Sequence, residues 1–349
     1  MTFYQELQLN QAGSKQLIKD VADYPEKLRH IAIYLFKIFL TLAFCMAFVI
    51  AYTTFFGHDN SIVGVVVLLF VMVFRNIDLG FHTPHAIPSL LGIFAILAFG
   101  PHLAHTQHLF IALCIHCICI GTLMFLGCHH IMMFNHSTLV LSYLLLYGYD
   151  VSGSAYIQRL VGITFGALLT CIVYYRNHSK KTYDLKFQNL FEAFDLHSSR
   201  TKWQLLLTLS VSSALFIAEL FHIPRAMWVG IATMSVLVPH RAGIKVRVKQ
   251  RIPGNLLGDF LFLLIYAFAP DFIYNYIGIV GGIGVGLSAT YGWQAVFNTF
   301  GALSIATSLF GLQSALFYRF FNNVFGAIYG LLFDKLFYRC SDYLHKLSA

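Results

Sequence analysis

The stretch Arg241-Ala-Gly-Ile-Lys245-Val-Arg247-Val-Lys249-Gln-Arg251 places five cations in eleven residues, directly ahead of Ile252-Pro253-Gly254. If a helix opens at Ile252, its free N–H groups and positive dipole end add to those side chains, and the matching ligand is an anion. Guanidinium groups also grip a carboxylate through two parallel hydrogen bonds. The plainer use of such a loop is topological: it holds one side of a membrane and touches lipid phosphates. Arg241, Lys245, Arg247, Arg251, Gly254 and Asn255 are the anion-binding candidates. Arg159 and Arg319, at two equivalent outer helix starts, join them as a paired gate or as headgroup anchors.

Asp259 follows Arg251 by eight residues, about 12 Å along a helix. A carboxylate in apolar surroundings costs on the order of 2.5–3.5 kcal/mol to insert, so it either accepts a proton, as a coupling residue would, or pairs with a basic group. Lys37 reads as a snorkelling side chain, Glu219 lies near Arg225, and Asp334 sits beside Lys335; all three read as structural. His102-x-x-His105-x-x-His108, Cys114-x-x-Cys117-x-Cys119 and Cys128-His129-His130 carry metal-ligand chemistry. The first and last groups fall at opposite ends of one hydrophobic span, about 30 Å apart, so neither a metal nor another cofactor is expected. No GxSxG, P-loop or HExxH stands in a supporting context, and an enzyme is not expected.

These residues need elements to hold them. The 349 residues are 58% hydrophobic and 11% charged, against about 25% charged in soluble domains, which excludes a water-soluble globule. An apolar helix crosses the roughly 30 Å hydrocarbon layer with about 20 residues. Hydrophobic runs predict spans at 31–56, 61–75, 87–100, 108–127, 131–149 and 157–175, then at 203–221, 226–239, 252–269, 272–290, 293–310 and 319–338, the third and eighth being the shortest. The expected fold is an all-α polytopic bundle of about twelve transmembrane helices.

All Lys and Arg except Lys37, Arg159, Arg225 and Arg319 fall in segments assigned to the inner side, which places both termini in the cytoplasm. The net charge of +8 thus follows the membrane and does not imply nucleic acid. The polar first 29 residues, with Asp20, Asp23 and Glu26, predict no cleavable signal, and seven cysteines, mostly in apolar spans, imply no disulfide framework. Phe187, Leu190, Phe191 and Phe194 recur at helical spacing, predicting an amphipathic interfacial helix in the linker.

The two sets of spans resemble each other. Ile87-Pro88-Ser-Leu-Leu-Gly92, ending at Pro101, recurs as Ile252-Pro253-Gly-Asn-Leu-Leu-Gly258, ending at Pro270; Arg159-x-x-Gly-x-x-Phe-Gly166-Ala recurs as Arg319-x-x-Asn-x-x-Phe-Gly326-Ala. Leu40-Thr-Leu42 answers Leu207-Thr-Leu209, and Phe134-Asn135 answers Phe297-Asn298. Two parallel six-helix repeats follow, related by an axis along the membrane normal. The domain plan is an N-terminal segment (1–30), a first repeat (31–175), a linker (176–202), a second repeat (203–338) and a tail (339–349). Gly278-x3-Gly282-x3-Gly286, Gly162-x3-Gly166, Gly254-x3-Gly258 and Gly326-x3-Gly330 predict close helix packing.

Arg251-x-x-Gly254-Asn255-x-x-Gly258 resembles the Arg-x-x-Gly-Thr-x-x-Gly element of the fusaric acid resistance (FUSC) family, also described as the integral membrane bound transporter domain. Asn255 departs from the usual Thr, and the first-half counterpart, His85-Ala-Ile-Pro88-Ser-Leu-Leu-Gly92, lacks the Arg. The resemblance is strongest from about 200 to 270 and implies export of small organic anions such as aromatic carboxylates, with plant malate channels as distant relatives. On that basis the expected protein is a multi-pass secondary transporter of the bacterial inner membrane, proton-coupled if Asp259 titrates. A passive anion channel on the same scaffold is the rival. A His-rich membrane metalloenzyme or an envelope scaffold are the other classes. Its partners would be the anion and the lipid, with homo-oligomerisation left open.

Overall fold

Each predicted hydrophobic run corresponds to a helix. The computed structural model describes residues 1–9, 11–183, 185–192, 194–270 and 276–348, and its regular structure there is helical. Two short N-terminal helices, α1 (Phe3–Gln8) and α2 (Gln11–Asp20), precede α3 (Tyr24–Phe56), α4 (Ser61–Phe74), α5 (Thr83–Thr106), α6 (Leu109–Gly127), α7 (His136–Gly148) and α8 (Gly153–His178). After the linker turn α9 (Asn189–Glu192) come α10 (Ser199–Leu220), α11 (Ala226–Val236), α12 (Ala242–Phe268), α13 (Ile277–Leu287), α14 (Tyr291–Phe310) and α15 (Leu312–Ser348).

Six of these helices, α3, α5, α6, α8, α10 and α12, are long and apolar enough to cross a membrane by length and composition. Their outward side chains are those a bilayer would solvate: on α3, Phe39 is 67% and Phe55 81% exposed, a costly arrangement for greasy rings in water. The third predicted run proves longer than expected, because α5 extends from Thr83 through Pro88 and Pro101 to Thr106. The eighth is only 11 residues, Ala226–Val236, or about 16 Å, half of the hydrocarbon thickness. The fifth loses its start to a 3-10 turn at Ile131–Met133 and to Phe134, whose φ of 54° lies in the left-handed region and interrupts the helix. The start of the tenth run, 272–275, lies outside the described residues; its described part is α13.

The linker also departs from expectation. Among the described residues of the linker only one turn, Asn189–Glu192, is helical, and although Leu190 is buried, Phe191 and Phe194 are exposed beside Phe125. Four residues cannot sustain the amphipathic helix that the spacing suggested, since a lone turn fixes backbone entropy for very few hydrogen bonds.

The chain divides into two compact units: Met1–Phe48 with Gly254–Leu316, and Val49–Pro253 with Phe317–Ala349. In the first, the N-terminal helices hold the C-terminal end of α13. Gln11 donates to the carbonyl of Gly286, Tyr34 Oη to the same oxygen at 3.0 Å, and Lys15 Nζ to Leu287 O at 2.9 Å. These donors satisfy carbonyls that a helix end leaves orphaned. Lys37 turns to Leu9 O and to Ser14 Oγ rather than running free toward headgroups.

In the second unit, α5 packs on α6, α7 and α8, and α10 packs on α6 and α11. Its core, which includes Phe70, Phe74, Leu90, Ile93, Tyr143, Leu207, Val211 and Val229, is fully closed to solvent.

In three of the four paired strings both copies lie within helices. Pro88 and Pro253 both lie inside helices, Leu40-Thr-Leu42 and Leu207-Thr-Leu209 lie in α3 and α10, and Arg159 and Arg319 lie in α8 and α15. In the fourth they do not: Phe134-Asn135 forms a turn, whereas Phe297-Asn298 lies within α14. The helix with Pro88 runs on past Pro101, while its counterpart ends at Phe268, before Pro270.

Candidate functional site

The basic stretch is helical, not a loop. α12 begins at Ala242, so Lys245, Arg247, Lys249 and Arg251 occupy its first three turns and Pro253 sits inside the helix. The free N–H groups expected at Ile252 are therefore found about ten residues earlier, beside Arg241 and Lys245. That change converts a flexible positive mouth into a set of side chains with fixed directions.

Arg241 makes a two-pronged pair with Asp334, Nε to Oδ1 at 3.1 Å and Nη2 to Oδ2 at 3.0 Å, and its guanidinium carbon lies 3.7 Å from the centre of the Tyr338 ring. Bonding to Asp334 pushes the Arg241 guanidinium pKa further up. Asp334 thus partners Arg241 instead of merely neighbouring Lys335 in sequence. Around this pair is a cavity of about 320 Å³ lined by Arg241, Ala242, Ile244, Lys245, Leu331, Asp334 and Lys335. Three cations share it with one carboxylate that is already matched, which leaves a net positive field for an anion.

Arg247 belongs to another task. Its Nη1 donates to Ser235 O at 3.1 Å, at the C-terminal end of α11, where orphan carbonyls and the negative dipole end favour a cation. Trp203 Nε1 closes the same end through Leu237 O at 3.0 Å.

Arg251 is 7% exposed, and its Nη2 donates to Asn323 Oδ1 at 2.7 Å. Asn323 in turn donates to Arg319 O at 2.7 Å, so its amide is oriented by the helix that carries it. The neighbouring Asn322 ties α15 to the loop before α11, donating to Pro224 O at 2.8 Å and Arg225 O at 3.3 Å. Sequence reasoning found Arg251 but missed Asn323; the signal was the Asn322-Asn323 pair inside an otherwise apolar run.

The rest of the Arg-x-x-Gly-Asn-x-x-Gly element lies in the other unit. A methyl at Gly254 would sit 2.7 Å from Gly292 O, and one at Gly258 2.6 Å from Val296 O. Only glycine permits this approach of α12 to α14. Alongside, Thr299 Oγ1 donates to Asn255 Oδ1 at 3.1 Å, so Asn255 uses its carbonyl where a threonine would offer a hydroxyl. Asp259, one turn beyond Asn255 on the same helix, is 6% exposed.

Arg159 and Arg319 are both buried, at 2% and 6% exposure, which does not fit headgroup anchors. Arg159 donates to Asn60 Oδ1 at 3.2 Å, to Leu146 O at 3.3 Å and to Tyr149 O at 2.6 Å, with Asp150 at 3.6 Å. Asp150 also meets His102 Nδ1 at 2.9 Å. Arg319 lies over the Trp228 ring at 5.2 Å. Each is followed seven residues later by a glycine against the second helix of its own set: Gly166 against Val67 of α4, and Gly326 against Val229 and Ala232 of α11.

Among the described residues, no group of three or more His, Cys, Asp or Glu is placed to hold a metal ion. His102 is engaged with Asp150, and His105 and His108 lie against the aromatic rings of Tyr147 and Phe110.

Residues 213–333 match the family model described as fusaric acid resistance protein-like. Neither a curated protein nor a solved structure matches the chain. The matched segment contains the whole Arg251-to-Gly258 element together with Arg319 and Asn323. Six helices of membrane-crossing length make this a multi-pass membrane protein, and its residues 213–333 are similar to the fusaric acid resistance protein-like (FUSC) family.

Proposed function

We propose that the protein is a secondary transporter, not an enzyme, which exports small organic anions, aromatic carboxylates in particular, across a bacterial inner membrane. The observation that carries this reading is Arg251: a buried guanidinium at the heart of the family element, oriented by Asn323 from a different helix. A buried guanidinium oriented by an amide from another helix is suited to recognising a carboxylate, because its orientation is fixed in advance. The basic cavity of Arg241, Lys245 and Lys335 supports a collecting role on the cytoplasmic side, to which both termini are assigned by the distribution of Lys and Arg.

Two parallel six-helix repeats fit this role. The matching placement of Arg159 with Gly166 on α8 and of Arg319 with Gly326 on α15 favours them, while the turn at Phe134-Asn135 marks where the halves diverge. Asp259, buried on the same helix as Arg251, is the proposed proton carrier. The lipid bilayer and the anion are the proposed partners.

The experiment is uptake of labelled benzoate into proteoliposomes against its gradient. Uphill uptake that follows an imposed proton gradient, and its loss in Asp259→Asn with downhill exchange retained, is the expected result. Uptake that never exceeds equilibrium, with large unitary currents in planar bilayers, would instead assign the scaffold to a channel.

A further inference from the structure

A cavity lies beside the family-like string of the first half, where the arginine is missing. Its volume is about 590 Å³, and it is lined by His85, Pro88, Ser89, Gly92, Leu126, Lys186, Phe187 and Gln188. Four of these belong to His85-Ala-Ile-Pro88-Ser-Leu-Leu-Gly92, the sequence counterpart of the Arg251-to-Gly258 element; three come from the linker.

The linker is fastened over the first turns of α5 by two hydrogen bonds. His82 N donates to Leu185 O at 2.9 Å, and Phe187 N donates to His85 Nδ1 at 3.1 Å. Because Nδ1 accepts, the neutral ring carries its proton on Nε2, leaving one donor on a residue of the cavity wall. The Lys186 ammonium and the Gln188 amide supply further donors, and among the described residues no carboxylate lines the space. Opposite them, Pro88, Gly92, Leu126 and the Phe187 ring present apolar surface, and the missing side chain at Gly92 leaves Leu126 Cδ1 as the nearest atom, 3.7 Å from where a Cβ would be. The volume is that of sites which enclose small organic ligands.

We propose that this cavity binds an anion borne on a flat apolar body, with Lys186 replacing the arginine that the first half lacks. Lys186 meets the charge, His85 Nε2–H and Gln188 orient it, and Pro88, Leu126 and Phe187 enclose the apolar part. The linker is thereby a component of a binding site rather than a tether. Two ligand sources share this chemistry, a soluble aromatic carboxylate and the headgroup region of an anionic lipid. The inference concerns binding and stands independently of transport.

The test is calorimetric titration of 1-naphthoate into the purified full-length protein in phosphatidylcholine nanodiscs. Lys186→Ala is expected to weaken binding about tenfold, the usual effect of deleting one charged hydrogen-bond partner, and Lys186→Arg to restore it within about threefold. Gly92→Leu, which fills the floor, should weaken binding by a similar factor. The uncharged 1-naphthalenemethanol should bind at least tenfold more weakly than the acid. Arg251→Gln should leave the Lys186-dependent component of this binding unchanged while reducing flux, which separates failure of this inference from failure of the transport reading. Replacing part of the phosphatidylcholine with phosphatidylglycerol distinguishes the sources: competition that depends on Lys186 identifies a lipid headgroup, and its absence a soluble anion, both upholding the site. Absence of naphthoate binding, equal affinity for acid and alcohol, or indifference to both Lys186 and Gly92 overturns it.

Discussion

Arg251 and Asp78 show how a single side chain's role depends on the partner that folding supplies. Arg251→Gln removes the charge that the buried Asn323 amide orients, and should reduce benzoate flux at least tenfold while helical circular dichroism is retained; a charged hydrogen bond contributes about 1.5–3 kcal/mol. Asn323→Leu should give the same phenotype through loss of orientation, and an unchanged rate in both would remove Arg251 from the pathway. Asp78 stands in the turn between α4 and α5. Burial pushes its carboxyl pKa up, but the nearby Tyr183 hydroxyl, the Lys181 ammonium at 3.0 Å and the Gly80 N–H at 2.9 Å outweigh that and hold it below the ordinary carboxylate range. Its contribution is therefore complete above the unfolded value, about 3.9, and is lost as pH falls through the lower folded value. Asp78→Asn should cost roughly 1 kcal/mol at pH 7, and thermal melts should show wild type and variant converging on acidification below about pH 4. A constant difference down to pH 2 would contradict this account.

At the scale of the element, packing decides which glycines matter. Gly258 faces Val296 O at 2.6 Å and Thr299 Cβ at 2.9 Å, and because a backbone carbonyl cannot swing aside, Gly258→Ala should destabilise by about 1–3 kcal/mol. Gly278 has nothing within 4 Å of its added carbon, so Gly278→Ala should be neutral or stabilising by up to about 1 kcal/mol, from reduced backbone freedom. Melting temperatures in detergent compare the two directly, and equal shifts would mean that the α12–α14 contact is looser than its geometry states. The sequence spacing grouped Gly278, Gly282 and Gly286 as one seam. Folding divides them: Gly282 meets Leu42 and Gly286 meets Ile38, both on α3, while the closest approaches of α13 to α14 are at Gly281 and Gly284, against Phe297.

For the whole molecule, the prediction concerns sidedness. A cysteine introduced at Lys245, in a background whose seven native cysteines are replaced, should react with a membrane-impermeant maleimide only when the cytoplasmic face is opened. One at His58, in the turn between α3 and α4, should react from outside. Labelling of Lys245 in intact cells would reverse the orientation and with it the direction assigned to the basic cavity. Beside the six helices of membrane-crossing length, α4, α7, α11 and α13 have 14, 13, 11 and 11 residues, too few to cross unaided. At the C-terminal end of α11, Arg247 and Trp203 donate to the Ser235 and Leu237 carbonyls. Irregular backbone at membrane depth is tolerated under that condition.

The sequence alone determined the helical membrane character, the positions of the apolar runs and the family element at Arg251, because hydrophobic length, charge frequency and local spacing are properties of the chain itself. It also exposed Asp259 as a costly residue in apolar surroundings. Only the tertiary structure decided where the helices begin and end, that Arg247 closes α11 while Arg241 pairs with Asp334, that Asn323 holds Arg251, and that the linker completes a cavity over His85. The contacts behind these outcomes join residues from 12 to 102 positions apart. Periodicity reports which face of a helix is apolar; it carries no information on which distant donor or acceptor will meet that face once the chain has packed.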